Sequence, residues 1–256
     1  MILTVDVGNS SVHIVGYAHE KRIFENRQET IKVDVVLHYL HHFEMIKSQC
    51  ETIEPIEGII VSCVVPLINE AILSSIDAVF AIEPVVVSGS LIKKFENRLV
   101  HPEEIGADLL ATTIAVLDKK LYPACVADIG TATKITVIND EGTFLGGVIA
   151  PGIGISAIAL NKSIPHLPPI DLQVPRNVIG TDTVSAIQSG VMYGLVGSIE
   201  GICNAIEMEL GLSTRKILTG GYSNLIHHHI KSFEFMPYLL NEGLLIIYNS
   251  VSKEKK

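Results

Sequence analysis

The sequence predicts an α/β protein built from two copies of one unit, with a cleft between the copies. Three observations lead there. The chain has 256 residues, enough for one large domain or two ordinary ones, and 48% of them are hydrophobic, enough to fill a core without staples. Tryptophan is absent and aromatic residues make up only 5%. Ile, Val, Leu and Ala must therefore carry the packing, as they do where parallel strands are buried on both faces. Finally, a short segment recurs. Val5–Val15 reads VDVGNSSVHIV and Ala127–Val137 reads ADIGTATKITV. Each begins small or apolar, then Asp, an apolar residue, Gly, Asn or Thr, any residue, and a hydroxyl. Each stands where its half of the chain begins. A repeated βββαβ unit is a duplicated domain, and ligand sites favour the cleft between such copies.

The elements follow in order. Apolar runs bounded by turn residues predict strands at Ile2–Val7, Ser11–Ala18 and Arg22–Asn26. Val33–Ile46 has helical spacing, with Val35, Val36, Tyr39, Leu40 and Phe43 on one face. A strand at Gly58–Val64, a helix near Leu67–Phe80 and a strand at Pro84–Val87 come next. The following helix is expected over Pro102–Leu117, because Pro102, Glu103 and Glu104 suit a helix N-terminus. LDKKLYP at Leu117–Pro123 is the polar break at mid-chain, and it divides the chain into lobes 1–118 and 119–256. The second lobe restarts with strands at Ala124–Ile129, Thr133–Ile138 and Thr143–Ile149. Helices are expected near Gly154–Leu160, Thr183–Gly211 and Asn241–Val251, with a strand at Lys216–Leu218.

Composition excludes several classes. A net charge of -9 disfavours nucleic acid, whose phosphate backbone needs a basic face. It does not disfavour a nucleotide, which local backbone amides can hold. The four cysteines, Cys50, Cys63, Cys125 and Cys203, form no CxxC pair and read as buried reduced thiols of a cytoplasmic protein. MILTVDVGNSS has no basic n-region and reads as a first strand, not a signal peptide. No apolar run approaches the roughly 18 residues of a membrane span.

The recurring segment has a chemical use. In each copy a strand carries Asp, then turns on Gly and small hydroxylic residues into a second strand. Gly8 and Gly130 let an anion approach the main chain, whose successive N–H groups form a concave anion site. Ser10, Ser11, Thr131 and Thr133 add hydroxyl donors. Two such hairpins would grip a polyphosphate, and Asp6 and Asp128 beside it call for a cation. One Asp–x–Gly–Asn–Ser alone reads equally well as a plain hairpin turn. Two at matched positions do not. LTGG at Leu218–Gly221 lies between an apolar strand and a helix, where paired glycines let backbone lie against an adenine or ribose. LGGVIAPGI at Leu145–Ile153 is another Gly-rich turn opening a helix. Gly152, Gly154 and Ala157 satisfy G-x-G-x-x-A, but the acid-ending second strand of a dinucleotide fold is missing, and Pro165, Pro168, Pro169 and Pro175 follow instead. No G-x-x-x-x-G-K-[ST] occurs.

The two Asp hairpins and the TGG turn resemble the phosphate-1, phosphate-2 and adenosine elements of the acetate kinase, sugar kinase and actin superfamily. That resemblance implies duplicated ribonuclease H-like (actin-like ATPase) α/β domains with an interdomain cleft. More narrowly, the chain resembles the type III pantothenate kinase family. The similar segments are DVGNS at Asp6–Ser10, GAD at Gly106–Asp108, DIGTAT at Asp128–Thr133, GGVIAPGI at Gly146–Ile153, GTDTVSAIQSGVMYG at Gly180–Gly194 and LTGG at Leu218–Gly221. The resemblance implies ATP-dependent phosphorylation of pantothenate to 4'-phosphopantothenate, the first step of coenzyme A biosynthesis, with Mg2+ and a monovalent cation, K+ or NH4+. It places Asp6, Val7, Gly8, Asn9, Ser10, Ser11, Val12 and His13 along the ATP phosphates, and Thr131 on ATP. It makes Asp108 the general base on the substrate hydroxyl, puts Gly106, Ala107, Asp108, Leu109 and Thr183 on the substrate, and puts Asp128 on the monovalent cation. It also implies a homodimer whose substrate pocket is completed near the subunit interface.

Three positions depart from the family pattern. Leu109 stands where GADR has arginine, Leu99 falls near an expected aromatic residue, and Lys134 stands where threonine is common. Leu109 cannot pair with an acidic substrate as a guanidinium would. Two alternatives therefore stay open: a kinase of another small hydroxylated acid or sugar, or a non-catalytic nucleotide-binding regulator. Asp6, Asp108 and Asp128 together speak against the regulator. Among other residues, His227–His229 reads as a polar surface turn, since three successive side chains do not converge on one metal. His41 and His42 read as solvated; His101, just before Pro102, reads as a helix cap or as a residue facing the phosphates.

Overall fold

The computed structural model describes residues 1–89, 91 and 96–254, with Glu254 in its backbone only. The chain divides into two compact units: Met1–Phe95, Val100–Lys119 and Leu239–Lys256 form the first, and Glu96–Leu99 with Lys120–Tyr238 the second.

In the first unit, β1 (Ile2–Val7), β2 (Ser11–Ala18) and β3 (Lys21–Glu29) form an antiparallel meander. Helix α1 (Val35–Glu51) leads to β4 (Gly58–Cys63), which pairs parallel to β1. Helix α2 (Pro66–Phe80) leads to β5 (Val85–Val86), parallel to β4. The strand order is β3-β2-β1-β4-β5. Leu3, Val5, Val7, Val12 and Ile14 alternate onto one face and meet Tyr39, Phe43 and Ile46 of α1 and Ile68, Ile72 and Ile76 of α2. His42 belongs to that buried stripe of α1, so it is buried rather than solvated; helical spacing carries it inward with Tyr39, Phe43 and Ile46.

The second unit repeats this plan. β6 (Ala124–Ile129), β7 (Ala132–Ile138) and β8 (Phe144–Pro151) form the meander. Helices α4 (Ile153–Ser163) and α5 (Thr183–Leu210) precede β9 (Arg215–Thr219), parallel to β6. The short α6 (Ser223–Ile226) precedes β10 (Glu234–Phe235), parallel to β9. The order β8-β7-β6-β9-β10 is that of the first sheet. The expected duplication of an α/β unit is therefore present in strand order and direction. Its core joins Cys125, Ala127, Ile129 and Ile135 to Met192, Leu195, Ile199 and Cys203 of α5. Cys50, Cys125 and Cys203 are free and buried, and Cys63 is free and half-buried.

Two elements differ from the sequence reading. Pro102–Glu104 forms only a 3-10 turn, and α3 runs Ala107–Asp118. Ile105 is buried and extended, and Gly106 is extended as the helix cap, so the helix restarts five residues beyond the proline. The last helix, α7 (Leu239–Glu254), follows the second lobe in sequence but packs in the first unit, against α3, β1 and β4. Asn241 donates from Nδ2 to Thr4 Oγ1 at 3.0 Å there. Among the described residues no helix is long and apolar enough to cross a membrane.

Candidate functional site

In the first unit, Asp6 lies directly across from His13 in the β1–β2 ladder, and Val7 across from Val12. The turn between them is closed by Gly8 N–H donating to Ser11 O at 3.0 Å. Thr30 fastens it from β3's end: its hydroxyl donates to Gly8 O at 2.7 Å and its N–H to Ser10 O at 3.1 Å. Arg27 Nη1 donates to Ser11 Oγ at 3.2 Å. Asn9 and Ser10 are exposed at the tip. Val7 and Val12 are fully buried, so only their backbone is available to a ligand. His13 is buried, and its Nε2 lies 3.0 Å from Glu25 Oε1. Desolvation lowers its pKa to about 4, against the raising effect of Glu25. The imidazole is thus neutral at pH 7, and the contact is a hydrogen bond donated to a carboxylate, not an ion pair. Thr30 was not singled out in the sequence; a lone Thr at a strand end carries no signal of its own.

Asp108 also belongs to the first unit. It is the second residue of α3 and only 9% exposed. Its Oδ1 accepts from Leu109 N–H at 2.8 Å. Gly106 comes so close that a Cβ there would lie 2.7 Å from the same oxygen. Thr112 and Thr113 hydroxyls donate to the carbonyls of Asp108 and Leu109 at 3.0 and 2.7 Å, fixing the first turn. A carboxylate at this end of a helix is favoured by the backbone dipole. Ala107 is buried and Leu109 half-buried.

In the second unit, Asp128 holds the position that Asp6 holds in the first: it faces Lys134 across the β6–β7 ladder, and Ile129 faces Thr133. Gly130 N–H donates to Ala132 O at 3.1 Å. This turn is one residue shorter than the first, which is why the two segments fall out of step after their glycines. Thr133 therefore points to the buried helix side with Ile129, on the face opposite Asp128. Two further segments close on the turn. A Cβ at Gly152, the cap of α4, would lie 2.1 Å from Thr131 O and 2.6 Å from Gly130 O. A Cβ at Gly220 would lie 2.3 Å from Asp128 Oδ1, and Gly220 has φ +94°. Tyr222 N–H donates to Ile129 O at 2.9 Å. The DIGTAT, APG and TGG segments, far apart in sequence, thus meet around one turn.

Lys134 stands directly beside Asp128, the residue expected on the monovalent cation. Its Nζ lies 3.1 Å from Asp128 Oδ2, with the two side chains 19% and 15% exposed. Among the described residues no group of three or more His, Cys, Asp or Glu side chains could hold a metal. Asp128 thus meets an ammonium group at one of its two oxygens.

Thr183 is exposed as the first residue of α5, after a capping box in which Asp182 accepts from Ser185 N–H at 2.9 Å. Those bonds to Ser185 hold the Asp182 carboxyl below its ordinary range. Thr183 lines a cavity of about 760 Å³ with Ala150, Pro151, Ile153, Gly190 and Gly194.

The family model for type III pantothenate kinase matches residues 2–205. A type III pantothenate kinase of Moorella thermoacetica is 33% identical over 255 residues, covering 97% of this chain and 98% of that protein. An archaeal actin homologue superposes with a TM-score of 0.54 at 13% identity, covering 97% of this chain and 99% of that one. The activator of 2-hydroxyisocaproyl-CoA dehydratase from Clostridium difficile, solved with bound ADPNP, gives 0.55 at 11% identity, covering 99% and 96%. These two likenesses carry the fold alone, the actin-like ATPase fold of duplicated α/β domains.

Proposed function

The chain belongs to the type III pantothenate kinase family, and from that premise we propose that it transfers the γ-phosphoryl group of ATP to pantothenate, giving 4'-phosphopantothenate and ADP in the first step of coenzyme A biosynthesis. The observation that carries the reading is the paired turn: Asp6 and Asp128 at the same place in two sheets of one topology, each followed by a glycine whose N–H closes the turn.

Roles follow from placement. The Asp6–His13 hairpin, its turn closed by the Gly8 N–H, binds the phosphates of MgATP through backbone N–H groups at Asn9 and Ser10 and through hydroxyls at Ser10 and Ser11; magnesium arrives with the substrate. Val7 and Val12 shape the hairpin from the buried helix side, and His13 from the side of Asp6. Thr131 contacts ATP from the second turn, and Gly220–Gly221 lie where a nucleoside passes close to backbone. Asp108 takes the proton of the pantothenate primary hydroxyl as its oxygen bonds to the γ-phosphorus and the bond to the β-phosphate oxygen breaks. A hydroxyl cannot shed that proton unaided near pH 7, and a positioned base contributes about 10²–10⁴-fold. Gly106, Ala107, Leu109 and Thr183 hold the acceptor. Positioning and charge neutralisation do the remainder in phosphoryl transfer.

The protein acts as a homodimer in the cytoplasm. Gly190, Gly194, Gly197 and Gly201 recur along one face of α5, all exposed, and a Cβ on any of them would meet nothing within 4 Å in this chain. Each costs about 1 kcal/mol of helix propensity against alanine, with no packing need inside the chain. A second copy laid against that face supplies the need, beside the cavity that Thr183 lines.

Leu109 favours a second reading, a kinase of another small hydroxylated acid, because it offers no cation to a carboxylate. Direct chromatographic assay of the phosphorylated product decides between them. Pantothenate is turned over by the parent; Asp108→Asn lowers kcat at least a hundredfold while MgATP still binds; Leu109→Arg lowers the pantothenate KM about tenfold, the worth of one charge-assisted hydrogen bond. Full activity in Asp108→Asn, or turnover with another acid only, overturns the first reading.

A further inference from the structure

We propose that the ammonium group of Lys134 is the resident cation of the second turn, so that this enzyme works without an added monovalent ion. The inference rests on the kinase reading above and on geometry within the second unit. Lys134 and Asp128 are direct neighbours across the β6–β7 ladder, which puts both side chains on one face. The Nζ–Oδ2 distance is 3.1 Å, and both side chains are largely enclosed, so this is not a loose surface pair. The other oxygen, Oδ1, faces backbone: ideal Cβ positions at Gly220 and Gly130 fall 2.3 and 3.6 Å from it. A potassium ion at Oδ2 would have to sit against the like charge of the ammonium.

The lysine is not demanded by the strand plan. In the first unit the equivalent position holds His13, neutral at pH 7 and turned to Glu25. One copy of the hairpin thus has an uncharged ring across from its Asp, and the other a fixed positive charge. An ammonium tethered to β7 supplies the charge of a bound potassium ion, and it cannot dissociate when salt is exchanged.

The test uses the full chain and reads the phosphorylated product directly, in potassium, sodium or tetramethylammonium chloride at equal ionic strength. The parent rate stays within twofold across the three salts. Lys134→Thr loses at least tenfold in tetramethylammonium and recovers to within threefold of the parent in potassium. Lys134→Arg keeps the charge and stays independent of salt. Calorimetric affinity for MgADP follows the same pattern without needing turnover. A parent whose rate or MgADP affinity rises more than fivefold with potassium overturns the proposal, and that arm holds whether or not the variants fold. So does a folded Lys134→Thr that ignores potassium. If no salt supports turnover of pantothenate, the substrate reading fails, while MgADP affinity still decides the role of Lys134.

Discussion

Gly243 of α7 lies against the main chain of Ala111 in α3: a Cβ at 243 would sit 1.9 Å from the Ala111 carbonyl oxygen. Ala111 is three residues beyond Asp108, so the seating of α7 sets the position of the proposed base within the first unit. On an exposed helix, Gly→Ala would add up to about 1 kcal/mol of stability. Here the added methyl must push two helices apart, and overpacking of that kind costs about 1–3 kcal/mol. Gly243→Ala should lower the denaturation midpoint and depress kcat more than the pantothenate KM. An unchanged or raised midpoint would show that α7 can shift freely, and the link to Asp108 would be lost.

A second prediction separates backbone strain from site geometry. Gly220 and Gly211 both have positive φ, +94° and +67°. A Cβ at Gly211 meets nothing within 4 Å, whereas one at Gly220 meets Asp128 Oδ1 at 2.3 Å and Ile129 N at 2.5 Å. Gly211→Ala should therefore cost about 1–2 kcal/mol of stability, the penalty of a left-handed residue, and leave nucleotide binding alone. Gly220→Ala should cost that and also displace the second turn, raising the ATP KM at least tenfold. Equal KM values for the two variants would remove the TGG turn from the nucleotide site.

Much of this was legible in the sequence because strand alternation and glycine placement are local. The Asp hairpins could be read from their residues alone, since Gly8 and Gly130 mark turns and the apolar residues around them alternate. The strand expected at Pro84–Val87 is present as Val85–Val86, whereas the two-residue β10 exists only through its parallel partner β9 and leaves no pattern of its own. The return of α7 to the first unit is equally invisible, because Gly243 and Asn241 acquire meaning only from Ala111 and Thr4. Pro102 misled for a physical reason: it opens a 3-10 turn that buried Ile105 ends. Lys134 stood out in the sequence only as a departure. Its role needed the register that sets it opposite Asp128.

The glycine face of α5 predicts the oligomeric state. Gly197→Arg improves helix propensity by up to about 1 kcal/mol and meets nothing within its own chain. A monomer would gain stability from it. A dimer packed on that face cannot accommodate a long charged side chain there. Sedimentation should show a dimeric parent and a monomeric, well-folded Gly197→Arg. A variant that stays dimeric would move the interface elsewhere, and a monomeric parent would end the dimer proposal.

Stability should fall in mild acid because of two buried imidazoles. His13 and His42 are 4% and 7% exposed, and desolvation lowers each pKa from 6.5 to about 4. For His42 the neighbouring His38 ring, stacked at 6.4 Å, lowers it further. The unfolded chain binds protons at these rings below about pH 6.5, and the folded chain only near pH 4. Protons therefore favour unfolding throughout that window. The stabilisation is complete above it and is lost as pH falls from 6.5 towards 4, by about 2–3 kcal/mol per ring. Urea titrations at pH 7.0 and pH 4.5, near the two ends of that window, should show the drop, and His42→Phe should remove about half of it while keeping the α1 stripe filled. If the variant loses as much stability as the parent over that interval, the acid sensitivity comes from carboxylates and not from the buried rings.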